Sequence, residues 1–396
     1  MINKELPKGR PVILVFVRYY LPGFRSGGPV RSVSNLVRAL EGEYDFRIVC
    51  LNRDHGESTT YADMTHSQWT QLGNVRIYYS TEREAGFTLA RKLVREIKPD
   101  MIYLNSLFDW EFSMKPFLAV GRGNDTPVLL TPRGELSIGA LGLKAGRKKF
   151  FLDLFRARRY YEQVHWHASS ESEKTRICKV FAPEASRLFQ ASNLPEIQQD
   201  SLPRTGEKKP NVLKIVLAAR ISPMKNTLTA IKIAAQLKGE VELDLWGPLE
   251  NNEYWARCQQ QMLLCPSNVK VRHRGEVEHE KLASLLKCYD VMLLPTLGEN
   301  FGHSIIEALD AGLPVVISDR TPWRNLVLAG VGADIPLEDE AAFILTLGQY
   351  QAMDENEMSA ARRACRHYVN EWHNLRTNLD DYKKMFNAVI KSGKQY

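Results

Sequence analysis

The chain has 396 residues, 44% of them hydrophobic and 25% charged, with 53 Lys and Arg set against 46 Asp and Glu for a formal charge of +7. Such figures suit folded globular domains and exclude a disordered or fibrous chain; at roughly 100–200 residues per domain they make two domains the expectation. Apolar runs such as Val12–Val17 and Val291–Leu294 fall far short of the ~18–20 residues of a membrane span. The first of them ends at Arg18 with no small-residue cleavage site behind it, so it reads as a buried strand and not as a signal peptide. The 6 Cys contain no C-x-x-C pair, which points to reduced thiols in a cytosolic chain and to neither a disulfide framework nor a zinc knuckle.

The first half alternates strands and helices. Pro11–Val17 is a strand apolar enough to be buried on both faces. A Gly- and Pro-rich loop leads to a helix over Val30–Leu40, where Val33, Leu36, Val37 and Leu40 fall at three-and-four spacing. Phe46–Leu51 is the next strand; Leu89–Lys98 is a helix stopped by Pro99, and Met101–Leu104 a strand. Val128–Thr131, a basic helix near Lys148–Tyr161 and Gln163–Ala168 continue the series. Around Leu194–Lys209 the pattern lapses into Pro, Gly and Lys, the best linker candidate. It then resumes with strand Leu213–Ala218, helix Thr227–Leu237, strand Val241–Trp246, helix Tyr254–Leu264 and strand Val269–Arg272. Helix Glu280–Leu286, strand Val291–Leu294, helix Ser304–Ala311 and strand Pro314–Ser318 follow, with helical, charge-rich sequence and no strand after about Ile335. Strands alternating with helices imply right-handed crossovers, and thus two doubly wound α/β halves with mainly parallel sheets. Such halves bind ligands at the carboxyl ends of their strands, and two facing each other leave a cleft between them.

The most informative stretch is Pro295–Val316, P-T-L-G-E-N-F-G-H-S-I-I-E-A-L-D-A-G-L-P-V-V. A strand ends at Leu294; a loop with Gly298 and Gly302 enters a helix; Gly312 sits where a left-handed cap belongs and Pro314 opens the next strand. Backbone N–H groups over Gly302–Ile305 make an anion site at the helix N-terminus. Glu299 in the loop and Glu307 inside the helix stand at different heights of one pocket, where two carboxylates can accept bonds from a hydroxyl-rich ligand. A second segment, Val216–Asn226, has Arg220 just past a strand and Lys225 just before a helix, two cations able to neutralise a diphosphate. A third, Tyr20–Arg31, carries Gly27 and Gly28 between a strand and its helix. Neither G-x-G-x-x-G nor G-x-x-x-x-G-K occurs in the chain.

Glu-x7-Glu within E-N-F-G-H-S-I-I-E-A-L-D-A-G-L-P-V-V resembles the donor-site motif of family 4 glycosyltransferases, retaining enzymes of the GT-B type, and the resemblance is strongest from Val212 to Asp319. It implies two Rossmann-like domains facing across a cleft: an acceptor-side domain over 1–200, a nucleotide-sugar domain over 201–375, and a C-terminal helix over 376–396 packing back on the first. By the resemblance Glu299 with Asn300, Phe301, Gly302, His303 and Ser304 holds the sugar and β-phosphate, and Glu307 the ribose hydroxyls. Arg220 and Lys225 match the R-x4-K element that clamps the diphosphate and stabilises the departing nucleotide. Gly27 and Gly28 fall in the loop that closes over the phosphates. Val277, in Arg274-Gly275-Glu276-Val277, lies where the base-binding turn is, or is an ordinary strand-to-helix turn. Asn105-Ser106 ends a strand where many relatives carry a histidine near the sugar; the departure puts that role in question, although an amide or hydroxyl suits it. Arg133 in T-P-R-G-E-L is an acceptor-side or phosphate contact, and Ser170 to Glu173 a capping box or a site element.

No D-x-D occurs and no His/Cys cluster has metal-ligand spacing, so the expected cofactor set is empty: a nucleotide-diphospho-sugar as donor, no divalent metal. The charge excess is concentrated between Lys144 and Arg159, where seven cations oppose Asp153 alone. With Phe150, Phe151, Leu154, Phe155, Tyr160 and Tyr161 interleaved, Lys144–Tyr161 is either an amphipathic helix for an anionic membrane, such as the inner face of the plasma membrane, or core aromatics with a solvated cationic face. No nucleic-acid-binding module accompanies the charge. The expected activity is transfer of a sugar to a glycan or lipid-linked glycan in bacterial surface polysaccharide synthesis. The rivals are a GT-B epimerase or phosphorylase, the latter needing a cofactor-anchoring Lys that cannot be identified, and a non-catalytic nucleotide-sugar-binding protein.

Overall fold

The computed structural model describes residues 9–62, 64–120, 125–137, 141–142, 145–195, 207–376 and 379–393. The chain divides into two compact units, one of Met1–Leu194 with Thr377–Tyr396 and the other of Pro195–Arg376. The divisions fall at 194 and 376, where the sequence suggested 200 and 375.

In the first unit the elements run β1 (Val12–Phe16), α1 (Gly28–Leu40), β2 (Asp45–Leu51), β3 (Trp69–Leu72), β4 (Val75–Ser80), α2 (Phe87–Ile97), β5 (Met101–Leu104), α3 (Lys115–Val120), β6 (Val128–Leu130), α4 (Ala145–Ala157), β7 (His165–Ala168), α5 (Glu171–Phe181) and β8 (Leu188–Gln190). The sheet order is β3-β4-β2-β1-β5-β6-β7-β8, and every neighbour pair is parallel except β3 with β4. Alternate residues of β1 feed two cores: Leu14 and Phe16 join Leu104, Phe155 and Trp166 on one face, and Ile13 and Val15 join Leu36, Phe46 and Tyr103 on the other. The second core is completed from the far end of the chain. A last helix (Leu379–Gly393) contributes Tyr382, Met385, Phe386, Val389 and Ile390 to it.

Three strands of this unit, and Gly332–Ile335 in the other, were not read from the sequence. β3 and β4 form a hairpin across Gly73-Asn74, with Gly73 in the left-handed region (φ +60°), and β8 adds an edge beside β7. The basic helix is shorter than expected: α4 stops at Ala157, Arg159 turns left-handed (φ +53°), and a separate 3-10 turn covers Tyr160–Glu162. Lys144 lies outside the described residues. The aromatics of this segment divide between inside and outside. Phe155 is buried against Phe117, Tyr160, Trp166 and Phe181, and Phe151 stacks on it at 5.8 Å, whereas Phe150 is 72% exposed and Leu154 43%.

The second unit holds β9 (Val212–Ala218), α6 (Thr227–Ala234), β10 (Glu240–Trp246), α7 (Asn252–Leu263), β11 (Val269–Gly275), α8 (His279–Leu286), β12 (Val291–Leu294), α9 (His303–Asp310), β13 (Val315–Ser318), β14 (Gly332–Ile335), α10 (Glu340–Ala352) and α11 (Glu355–Arg376), which makes the last helix of the chain α12. Its sheet is wholly parallel in the order β11-β10-β9-β12-β13-β14. The order reverses between β9 and β12, and in the first unit between β1 and β5. At such a switch the loops leave in opposite directions and open a crevice at the carboxyl ends.

Candidate active site

The switch point of the second unit gathers three of the expected residues. β9 ends at Ala218, and Ala219 N–H donates to Trp246 O (2.9 Å) and Ile221 N–H to Pro248 O (2.9 Å), so the chain leaves the sheet along β10. A 3-10 turn over Pro223–Lys225 and a left-handed Asn226 (φ +55°) then set Lys225 at the head of α6. The loop after β12 is stapled to that turn: Thr296 Oγ1 and Leu297 N–H both donate to Met224 O, at 3.0 and 2.8 Å. From the other side Ser318 Oγ donates to Thr296 O (2.6 Å), and Glu299 N–H donates to Arg320 O (3.0 Å). These bonds bring Lys225 Nζ and Glu299 Oε1 into an ion pair between two largely buried side chains. An anion arriving there shares the three donors of an ammonium already fixed in place. Arg220 is more open and pairs with Glu250 (Nη1 to Oε1, 3.1 Å).

Past Glu299 the loop rests on aromatic rings. Trp323 Nε1–H donates to Phe301 O (2.6 Å), and the buried Phe301 ring packs at 4.7 Å from His303, 5.8 Å from Trp323 and 6.0 Å from Trp372. Gly302 is left-handed (φ +80°), a conformation that favours glycine, and a Cβ there would stand 2.7 Å from Ile305 Cδ1, which would have to swing aside. The amides of His303 and Ser304 open α9 ahead of its first i→i−4 bond, Asn300 and Ser304 are half-buried beside them, and Glu307 stands half-buried one turn on. Val277, half-buried after the left-handed Gly275 (φ +84°), packs on the core of the unit. Its turn is tied to β10 by Gly247 N–H to Gly275 O (2.8 Å).

In the first unit Gly27 is left-handed (φ +66°) and caps α1, whose first residue is Gly28; a Cβ on Gly27 meets nothing within 4 Å, so the dihedral and not crowding favours glycine. Asp54 shapes this loop, accepting from Phe24 N (2.8 Å), Arg25 N (3.1 Å) and His55 N (2.7 Å). Arg133 sits left-handed (φ +52°) after β6 and donates to Tyr103 OH (3.0 Å), to Asn105 Oδ1 (2.8 and 3.3 Å) and to Asn193 Oδ1. All of these acceptors are neutral. A chain of bonds with fixed sense follows, because Arg133 only donates and Ala191 O only accepts: Tyr103 OH gives its proton to His167 Nδ1 (2.7 Å), and His167 Nε2–H gives its own to Ala191 O (2.8 Å). Burial, reinforced by Arg133, pushes the His167 pKa down to about 3, so the ring is neutral. The same logic turns Asn105 Oδ1 toward Arg133 and leaves Nδ2, a buried donor, without a partner. Ser106 Oγ donates to Glu135 (2.7 Å) and accepts from Asp109 N (2.9 Å), which makes it a brace of its own loop.

The capping box forms only in part. Ser170 Oγ accepts from Glu173 N (3.2 Å), but the buried Glu173 carboxylate accepts from Ser169 N and Oγ (2.8 Å each) and from Gly134 N, which fastens the loop after β6 to α5. The sequence reading missed Asp54, Glu135, His167, Thr296 and Trp323. Thr296 follows a strand end directly, which is a usable signal, whereas Trp323 and His167 have no local pattern to mark them. No helix among the described residues is long and apolar enough to cross a membrane.

Residues 198–360 match the family model described as glycosyl transferases group 1. The chain is 30% identical over 128 residues to a phosphatidyl-myo-inositol mannosyltransferase of Mycobacterium leprae (31% of this chain, 33% of that one). It is 27% identical over 183 residues to the O-antigen chain mannosyltransferase B of Escherichia coli (45% and 44%). The chain thus spans a third to under half the length of these curated relatives. In fold it resembles sucrose-phosphate synthase from Thermosynechococcus elongatus with a TM-score of 0.69 at 18% identity, over 96% of this chain and 100% of that one. The segment 198–360 is thus similar to the glycosyl transferases group 1 family, and the chain as a whole has the GT-B fold.

Proposed function

We propose that the protein is a retaining, family 4 glycosyltransferase that moves a sugar from a nucleotide-diphospho-sugar to a glycan or lipid-linked glycan acceptor in bacterial surface polysaccharide synthesis. The observation that carries this reading is the Lys225–Glu299 pair at the switch point, with Arg220 at the end of the neighbouring strand. Cations fixed at a carboxyl edge stabilise charge as it grows on a leaving diphosphate. Glu299 and the first amides of α9 orient the sugar and its phosphate, Glu307 takes the ribose and the backbone at Val277 the base. The departing diphosphate assists the incoming hydroxyl, so no side chain serves as a strong base. With Lys225 and Arg220 neutralising the diphosphate, turnover requires no divalent ion.

We place the protein in the cytoplasm, docked peripherally on an anionic membrane through α4, where Phe150 and Leu154 stand outward among Arg147, Lys149 and Arg158. Sedimentation with anionic vesicles at low salt tests this, and no binding by the wild type removes it. The enzymatic reading is tested by thermal unfolding against a panel of nucleotide sugars: a ligand that binds the native state raises Tm. A rise with at least one nucleotide sugar is expected, diminished in Lys225→Ala and Arg220→Ala. No rise with any of them refutes the reading.

A further inference from the structure

Two cations of the second unit share a recess on the other edge of its sheet. Lys287, at the end of α8, and Arg366, in α11, line a shallow recess, enclosing only about 10 Å³, together with Tyr289, Gly312, Leu313 and Arg362. Tyr289 and Leu313 lie two residues before β12 and β13 respectively, so the recess lies at the amino ends of the strands, whereas Arg220 and Glu299 stand beyond the carboxyl ends. Arg362 is matched, through Nη1 to Glu355 Oε1 (3.1 Å) and Nη2 to Asp290 Oδ1 (3.8 Å). Among the described residues the side chains of Lys287 and Arg366 make neither a hydrogen bond nor an ion pair, and Arg366 Nε is closed off from solvent with no acceptor.

The ordinary reason for a cation here is to satisfy carbonyls at a helix C-terminus, but both helix ends are already closed by the main chain. At α9, Ala311 N–H donates to Glu307 O (3.0 Å), Gly312 N–H to Leu309 O (2.9 Å) and Leu313 N–H to Ala308 O (2.8 Å). At α8, Cys288 N–H donates to Leu285 O (3.0 Å) and Tyr289 N–H to Leu286 O (3.2 Å). What remains is the weak pull of the helix dipole, which falls off within a turn. Against it stand burial and the Arg366 charge, both of which push the Lys287 pKa down, with Asp310 opposing them. Gly312 is left-handed (φ +77°), and Arg366 Nε stands 3.1 Å from where its Cβ would be, so the guanidinium lies on bare main chain. A planar fork and a compact ammonium in one recess suit a tetrahedral oxyanion. The enclosed space is far below the roughly 300–1,000 Å³ of pockets that bury whole small-molecule ligands, so a bound group would lie at the mouth of the recess.

We propose that Lys287 and Arg366, seated over Gly312, form a second anion site that binds a phosphate group, carried free or on a small phosphomonoester. The inference does not depend on the proposed transferase activity. The test is thermal unfolding of the full chain carrying Arg220→Ala and Lys225→Ala, so that those cations contribute nothing, in rising inorganic phosphate with chloride holding the ionic strength constant. Glycerol 3-phosphate serves as a parallel arm, and the tighter of the two probes identifies the preferred carrier. A saturable rise in Tm is expected, lost when Arg366→Gln or Lys287→Met is added, while without phosphate Arg366→Gln unfolds no lower than its parent. Absence of a saturable rise with both probes, a rise that survives both substitutions, or a fall in the phosphate-free Tm of Arg366→Gln overturns the proposal.

Discussion

Glu135 offers the sharpest test of the electrostatics in the first unit. Its carboxylate is enclosed by three donors, Ser106 Oγ (2.7 Å), Leu107 N (2.6 Å) and Phe108 N (3.2 Å), which favour the charged form. Burial outweighs them, with Asp109 adding to it, and pushes the pKa up to about 7 from 4.5. At ~1.4 kcal/mol per tenfold, that displacement amounts to about 3 kcal/mol at most. The sign follows from proton counting. Between pH 4.5 and about 7 the folded protein keeps a proton that the unfolded chain has released, so stability falls as pH rises through this window, and the full cost persists above it. Glu135→Gln is a permanent copy of the protonated form. At pH 8 it should be more stable than the wild type by about 1–3 kcal/mol, with the lower figure allowing for one oxygen acceptor in place of two. At pH 4.5 the gain should vanish or reverse. Urea unfolding of both proteins, followed by tryptophan fluorescence from pH 4.5 to 8, measures the difference directly. His165 and His167, pushed down to about 4 and about 3 by burial, destabilise both proteins alike as pH falls below 6.5, so they cancel in the comparison. A difference that is constant across pH, or a variant less stable at pH 8, refutes the reasoning.

Arg220→Ala should lower kcat by about 10²-fold with little change in Tm, since its pair with Glu250 is partly exposed; undiminished kcat at saturating donor contradicts its role. Lys225→Ala should lose activity to a similar degree and also about 2 kcal/mol of stability, because it strands the buried Glu299 carboxylate; unfolding curves and kcat together separate the two effects. Gly332→Ala should cost more than about 3 kcal/mol, since its Cβ would fall 1.9 Å from Val315 O, main chain that cannot step aside at φ +148°; a variant with wild-type Tm would count against the packing described. Turnover in excess chelator should match turnover without it, and loss of the chemical step there would show a metal requirement.

Local pattern carried most of the fold. β1 and β12 are apolar throughout because both faces of a doubly wound sheet are covered, and α1 declares its inner face through Val33, Leu36, Val37 and Leu40. The hairpin over Trp69–Ser80 was overlooked despite its Gly73-Asn74 turn, since Trp69 and Thr70 are half-buried and the other two residues of β3 exposed, which leaves no apolar run. In the site, Glu299, Gly302 and Glu307 share one short stretch and could be read together. What joins them to Lys225 could not: the two residues are 74 positions apart, and their meeting depends on Met224 O accepting from the loop after β12. The bonds linking Tyr103, Arg133, His167 and Ala191 are likewise products of strands made adjacent by the sheet order, which no periodicity records.

The return of α12 to the first unit sets an order on assembly during synthesis. Tyr44, Phe46 and Tyr103 find Phe386 at ring distances of 5.4, 6.4 and 5.9 Å, and Tyr382 meets His167 at 5.4 Å, but both partners leave the ribosome only after all of Pro195–Arg376. The segment made first is thus finished last. Until then the part of that side of its sheet not covered by α1 stays open, an exposed aromatic surface that invites chaperones or aggregation during translation, while the later-made unit has every strand and helix of its own already in hand.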